Sequence, residues 1–556
     1  MSTIKKYIIP MFFFFVFFAI NAQSSSIDMQ RLIPAGHWVY DAVIRIEAES
    51  GKASFAQNAP LSTAELLLYL NEIDFDSLSE AGKYEYNAVK SFFNGDYLSF
   101  GSDTLSLGIS PISSLELYHK TDERIPWQYY SHNKKHILDL PVILGAGDFL
   151  CIESVFFAGL NYWAAEEHSV FTNIPYKSDS LEAHFPSTAY ISAGLPIYDI
   201  FTVNFQLGKG NLSVGKTQLG SIFLSDYSDH DAYAMFSLYS QKIRYAATLI
   251  QLEVNKNLYL HRLEFQAFKK IQIGLHEGVL VNAPLELRYL NPLSIFHNYA
   301  AWRTYGKYNN STADGSANTY DGFSRVGSYF GLTFDINPWR FLRLYGLFAM
   351  NQFQTAYERK TYPEAAAKIP DSLGFQGGIE TFVPFKTGYF SGGIEGLYTN
   401  PWLYICDDAD WSFYRSRFDL IKNTNVPVHT WVGSPYGPDT LGFSGKFGYE
   451  VVSLWAAHVS YKTITRGEHS FELFSHYDSS GKNNYYPSSV EEATQKSPTG
   501  IAEVSHSFMV SGSFSPLHWI DISSQVGYTV VSNSNHVENL TLQGFEFMLS
   551  CTISLP

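Results

Sequence analysis

Over most of this chain, apolar residues recur at every second position. In the stretch from Asp199 to Leu207, Phe201, Val203, Phe205 and Leu207 share one face, and Thr202, Asn204 and Gln206 share the other. Near the C-terminus Ile520, Ile522, Val526, Tyr528 and Val530 alternate with Asp521, Ser523, Gln525 and Thr529. The final segment is clearest: Phe545, Phe547, Leu549, Cys551, Ile553 and Leu555 oppose Glu546, Ser550, Thr552 and Ser554. Successive side chains of a strand point to opposite faces, so each segment reads as a strand with one apolar and one polar side. The connections alternate as well. Asn337-Pro338, Pro384-Phe385-Lys386-Thr387 and Ser515-Pro516-Leu517-His518 are short, whereas 305–324, 351–372, 399–440 and 477–499 are long and polar. A soluble sandwich has no reason to segregate its loops this way. Outer-membrane barrels do, with short turns on the periplasmic side and long external loops. The expected fold is therefore an all-β, antiparallel membrane barrel over residues 127–556. Those 430 residues divide into about 16–18 strands with their loops, since a lipid-crossing strand needs only about 9–11 residues.

The period changes before Trp127. His37 to Ile46, Leu61 to Leu70 and Leu78 to Phe93 follow helical spacing, with Tyr86, Val89 and Phe93 on one face of the third. Ser62 and Glu65 form a capping box. Residues 23–126 are thus read as a periplasmic module of three short helices, placed to plug the barrel. Residues 1–22 read as a secretory signal peptide, with Lys5 and Lys6 before a short Phe-rich apolar run and Ala22 before the cleavage point. One feature fits the barrel poorly. Many outer-membrane barrels end on an aromatic residue, and this chain ends Leu555-Pro556. Either the assembly signal differs, or Phe547 carries it with a tail behind.

Composition sharpens the membrane reading. Charged residues make up 16% of the chain, against about 25% in ordinary globular domains, and aromatics also reach 16%. Mean hydropathy is −0.09, as expected when one face of each strand meets lipid and the other water. No apolar stretch is long enough for a helical span of about 18 residues. The net charge of −15 opposes binding to nucleic acid phosphates. Cys151, Cys406 and Cys551 are odd in number and show no metal spacing, so no disulfide framework, metal or cofactor is expected.

The central residues carry a resemblance. Gly208-Lys209-Gly210 leads into Leu219-Gly220-Ser221-Ile222-Phe223-Leu224-Ser225, followed by His261-Arg262-Leu263-Glu264-Phe265, Ile273-Gly274-Leu275-His276-Glu277 and Asn291-Pro292-Leu293. This order resembles the Wzi-like capsule assembly family of outer-membrane barrels. Members often carry Gly-Pro-Gly before the Gly-Ser segment, which Lys216-Thr217-Gln218 does not reproduce. The resemblance implies an eighteen-stranded barrel, a periplasmic helical part and a lectin-like role toward surface polysaccharide. The shared residues look like scaffold, so they carry fold more safely than ligand. The stretch Ile33 to Val43 also faintly resembles a cell-wall-binding S-layer-homology repeat. One degenerate copy is outweighed by a plain helical start.

For polysaccharide binding, exposed aromatic faces would stack on sugar rings beside polar groups that take the hydroxyls. The long loops offer Tyr305, Tyr308 and Tyr320; Trp402, Tyr404, Asp407, Asp408 and Trp411; and Tyr485 and Tyr486. Aromatic girdles at the membrane interfaces would explain the same rings without a ligand. In the wall, Arg262, Glu264, Arg288 and Arg343 should face the lumen, because a Lys or Arg on the lipid side costs about 2–4 kcal/mol near the midplane. The acidic run Asp226 to Asp231 lacks an EF-hand pattern and reads as a solvated turn. His276 and Glu277 point to opposite faces of one strand, and no G-x-S-x-G motif appears, so catalysis is not expected. The expected partners are outer-membrane lipid, the barrel-assembly machinery and an extracellular polysaccharide, around a monomer. The alternative function is a porin or substrate-specific channel on the same scaffold.

Overall fold

The computed structural model describes residues 28–95, 97–102, 104–128, 134–160, 171–175, 181–183, 187–197, 200–227, 231–296, 326–361, 363, 367–406, 409–421, 424–471, 487 and 489–555. The signal-peptide segment lies outside them. Eighteen antiparallel strands close into a barrel. They are β1 (Ile112–Lys120), β2 (Leu138–Ala146), β3 (Leu150–Leu160), β4 (Thr188–Ile197), β5 (Phe201–Gly210) and β6 (Asp231–Tyr239). Next come β7 (Ile243–Glu253), β8 (Lys256–Ala267), β9 (Ile271–Asn282), β10 (Val326–Trp339), β11 (Leu342–Gln352) and β12 (Ser372–Phe385). The last are β13 (Gly388–Thr399), β14 (Thr440–Val451), β15 (Trp455–Arg466), β16 (Glu503–Leu517), β17 (Ile520–Ser532) and β18 (Thr541–Ser554). Each pairs with its sequence neighbour, and β18 closes on β1 with Phe547 opposite His119 and Ile553 opposite Ser113.

The alternation predicts the faces correctly, and the barrel turns its apolar side outward. On β18, Phe545 is 54% exposed while its neighbour Glu546 is 2% exposed. On β5, Phe205 and Leu207 are exposed, and Asn204 and Gln206 are buried. That inversion is what a lipid exterior and a polar interior require. The connections segregate too. Turns at 240–242, 268–270, 340–341, 386–387, 452–454 and 518–519 lie at one end, and the strand ends that the long connections join, Asn282 and Val326, Thr399 and Thr440, and Arg466 and Glu503, lie at the other. Asn337-Pro338 belongs to β10 rather than to a turn, and the ladder shifts register between Ile336 and Trp339 to accommodate the proline.

The barrel begins before the Trp127 boundary drawn from periodicity. β1 spans 112–120, and the strand Leu105–Ile109 continues into it past Pro111, pairing with β2 in the same register (Ser106 with Gly145, Ile112 with Asp139). The alternation was hidden because the inward residues include charged Glu116 and Lys120 and the ring of Tyr118, and the outward face offers only Leu115 and Leu117 as apolar markers beside His119.

Among the described residues three α-helices precede the wall: α1 (Trp38–Ser50), α2 (Thr63–Leu70) and α3 (Glu80–Phe93). Ser62 caps α2 by accepting from the Glu65 amide at 3.2 Å. The Glu65 carboxylate does not complete the capping box; Arg244 of β7 takes it instead. α1 ends at Gly51, whose φ of 70° is the left-handed geometry that glycine adopts freely. Val39, Val43, Ile46, Leu66, Tyr69, Leu70, Val89 and Phe93 form the module's core, joined by Phe382 and Tyr389 from the barrel wall. Each such side chain removed from water contributes about 1.5–3 kcal/mol. The helices therefore share one core with the inward face of the barrel at its short-turn end.

Candidate functional site

The inward face of the wall meets the helices through buried ion pairs. Arg244 donates to Glu65 at 2.7 Å and to Glu264 at 3.1 Å, and Asn58 also donates to Glu264. Arg45 of α1 joins Glu85 of α3 at 2.7 Å and Glu450 of β14 at 3.1 Å. Arg343 joins Asp335 at 2.5 Å and Glu380 at 2.7 Å. Burial pushes the Glu85 carboxyl up to about 7 against the pull of Arg45, and the Glu47 carboxyl up to about 7 against Lys52. Buried carboxylates survive in such a setting only with guanidinium or ammonium partners.

Above the helices, the loop that follows β5 turns into the lumen. Its Ser213 and Val214 pair with Ala59 and Asn58 of the N-terminal module. The Glu395 carboxylate on β13 accepts from the backbone amides of Gln218 (2.7 Å) and Leu219 (2.9 Å), from Gln376 (2.9 Å) and from the Tyr345 hydroxyl. Gln376 also holds the loop by accepting from Ile222 and donating to the Gly220 carbonyl. Ile222, Phe223 and Leu224 then enter an apolar layer. Phe223 stacks on Tyr329 at 4.5 Å, and the hydroxyls of Tyr329 and Tyr404 donate to the Ile222 carbonyl. The 400–439 excursion completes the layer with Trp402, Leu403, Ile405, Trp411, Phe413 and Trp431. Chain segments thus fill this part of the lumen from both ends.

Among the described residues, polar cavities lie where α1, the inserted loop and the wall meet, and two of them adjoin. The larger, about 470 Å³, is lined by Tyr40, Gln57, Asn58, Asn211, Ser213 and Asp226 among others. The smaller, about 280 Å³, shares Lys216, Thr217 and Gln218 with it and lies against β12 to β15. Lys216 pairs with Asp41 at 3.1 Å. Burial pushes the Asp41 carboxyl up, but Lys216 and Arg45 outweigh it and hold it below the usual carboxylate range.

The residues singled out from sequence fall into three groups. Trp402, Tyr404 and Trp411 are buried in the apolar layer. The expectation that these rings are exposed sugar platforms is therefore corrected: their loop folds inward, and a ring on that path serves packing. Tyr305, Tyr308, Tyr320, Asp407, Asp408, Tyr485 and Tyr486 lie outside the described residues. Of the wall residues, Arg262 and Glu264 project inward. Arg288 does not. It sits on a short turn of helix, Leu287–Leu290, paired with Glu286 at 2.8 Å. That segment lies against the outer face of β7 to β9, where Tyr289 and Phe296 cover Tyr259, Val279 and Val281, and Tyr245 donates to the Pro292 carbonyl at 2.6 Å. Arg288 was misplaced because Leu287-Arg288-Tyr289-Leu290 alternates like a strand over four residues. Glu395, Gln376 and Tyr345, which hold the inserted loop, were not singled out. The signal was the run Ile222-Phe223-Leu224, too apolar for a solvated loop. Among the described residues no cluster of His, Cys, Asp and Glu could hold a metal ion.

No family model matches the sequence, and no curated protein matches it. Among solved structures the chain is similar to Wzi of Escherichia coli, an outer-membrane protein involved in group 1 capsule assembly and described as a carbohydrate-binding β-barrel. The identity is 11% over 93% of this chain and 98% of that one, with a TM-score of 0.56. It also matches OprD of Pseudomonas aeruginosa (8% identity, 81% of this chain and 95% of that one, TM-score 0.39) and the outer-membrane channel DcaP of Acinetobacter baumannii (7%, 82% and 98%, 0.32). The likeness to Wzi is one of fold: the chain is an outer-membrane-type β-barrel.

Proposed function

We propose that this chain is a non-enzymatic outer-membrane barrel that binds or organises extracellular polysaccharide and does not serve as a diffusion channel. The observation that carries this reading is the packed lumen. A barrel of eighteen strands leaves an aqueous interior unless something occupies it. Here helices fill the short-turn end, and the loops after β5 and β13 build an apolar layer above them. Outer-membrane barrels carry short turns on the periplasmic side, so on this reading the end filled by the helical module faces the periplasm and the long excursions face outward. The fold likeness to Wzi, described as a carbohydrate-binding β-barrel, supports the same reading.

The test uses the purified full chain in two assays. Immobilised surface polysaccharide from the cells that make this protein should retain it, and planar bilayers containing it should show no stable open steps. Stable conductance without polysaccharide retention would overturn the reading in favour of a porin or substrate channel.

A further inference from the structure

The smaller lumen cavity has an imbalance in its hydrogen-bonding groups. Its carboxylates are all engaged: Asp41 by Lys216 at 3.1 Å, Glu450 by Arg45 at 3.1 Å and Glu380 by Arg343 at 2.7 Å. Its donors are not. Lys446 lies on the inward face of β14 and remains exposed to the cavity. Among the described residues no carboxylate comes within 4.0 Å of it. Gln218 gives its amide N–H to Glu395 and receives the Ser444 hydroxyl on its side-chain oxygen. Among the described residues no acceptor takes the Nε2 group, which packs toward the wall at Gly393. A Cβ built on Gly393 would come within 2.5 Å of that nitrogen, so a side chain there would shift the amide. Ser391, Thr217 and His458 complete the polar lining, with His458 diagonal to Lys446 on the neighbouring strand. A cavity with spent acceptors and spare donors is complementary to a ligand rich in oxygen acceptors. Lys446 is the lining ammonium that has no carboxylate within 4.0 Å among the described residues, with Asp41 acting on it only at longer range, so it is placed to meet a single negative charge. The volume of about 280 Å³ suits one ring rather than a chain, being at the small end of ligand pockets.

We propose that this cavity binds one acidic saccharide unit, a sugar carrying a single carboxylate. Lys446 takes the carboxylate; Gln218, Ser391 and Thr217 take ring hydroxyls. The proposal rests on the functional reading above only in taking the ligand to be a saccharide, and it places a site inside the barrel instead of on the external loops.

The experiment is calorimetric titration of the full chain in detergent with glucuronate, glucose and acetate. Glucuronate should bind at least tenfold more tightly than either of the others. Lys446→Gln should weaken glucuronate at least tenfold, and Lys446→Arg should restore most of it, with both variants keeping the circular dichroism of the parent. Equal affinity for glucose and glucuronate, equal affinity for acetate and glucuronate, or an unchanged Lys446→Gln protein would each overturn the proposal. Retention on surface polysaccharide is measured on the same proteins. Loss of glucuronate binding with retention intact supports the interior site. Failure of the parent to be retained defeats the surface reading and leaves the glucuronate result standing.

Discussion

Arg244 and Arg262 stand on adjacent strands, both facing inward and both buried, yet they should respond oppositely to the same substitution. Arg244 is 0% exposed and bridges Glu65 of α2 to Glu264 of β8. Replacing it with Met keeps much of the volume and leaves two buried carboxylates without their cation. Removing one partner of a buried pair costs about 3–5 kcal/mol. The Tyr69 and Asn58 contacts to these carboxylates remain and limit the loss. Arg262 is 3% exposed and makes a polar contact to the Met235 sulfur at 3.4 Å, with no carboxylate within 4.0 Å among the described residues. Met at this position removes an ion whose desolvation is poorly compensated, so Arg262→Met should be neutral or stabilise by about 1–2 kcal/mol. The assay is urea unfolding of the refolded barrel in micelles, with free energies from midpoint and slope, together with protease protection of residues 28–95. Arg244→Met should lower the midpoint and expose the helices to protease. A change under about 1 kcal/mol for Arg244→Met, or an Arg262→Met protein as weak as Arg244→Met, would refute the reasoning.

Three further outcomes follow from the packed lumen. Burial raises the carboxyls of Glu47 and Glu85 to about 7, and a group raised on folding adds stability that is complete below its unfolded value and fades as pH passes the folded one. Hydrogen exchange of α1 and α3, corrected for intrinsic rates, should therefore slow as pH falls from 7.5 to 5; no change or faster exchange contradicts the assignment. Glu395→Ala strips the acceptor from two loop amides, Tyr345 and Gln376, and should cost about 3 kcal/mol, with new protease cleavage between residues 211 and 227. Trp402→Ala should destabilise by about 3–5 kcal/mol as a core truncation while sparing polysaccharide retention; loss of retention at unchanged stability would return Trp402 to the binding surface.

The wall was legible because lipid imposes the simplest rule on it. One face of each strand must be apolar, so period 2 survives even on β5, where Asn204 and Gln206 are buried and Phe205 is exposed. The helices were legible for a related reason, since Val89 and Phe93 at i and i+4 share one stripe against a common core. The rule fails where water is excluded on both faces or admitted on both. β1 hid behind inward Glu116 and Lys120. Leu287 to Leu290 mimicked a strand while lying on the outer wall.

The loops were the deepest ambiguity, and its cause is physical. An aromatic ring has the same composition signature at a membrane girdle, on a sugar-binding surface and in a core. Only the path of the backbone separates these fates. That path is set by groups far away in sequence, such as Glu395 receiving the amides of Gln218 and Leu219 across 176 residues and more. Once the inserted loop is anchored there, Ile222 to Leu224 must be covered, and the 400–439 excursion supplies Trp402, Tyr404 and Trp411 as the cover. The smaller polar cavity persists where the wall is glycine at Gly392 and Gly393 and the facing loop is Lys216-Thr217-Gln218, so few apolar side chains reach into it. Rings that looked like a sugar platform thus became the lid of the lumen. The unspent donors lie below that lid, on residues that no aromatic-rich pattern would have marked.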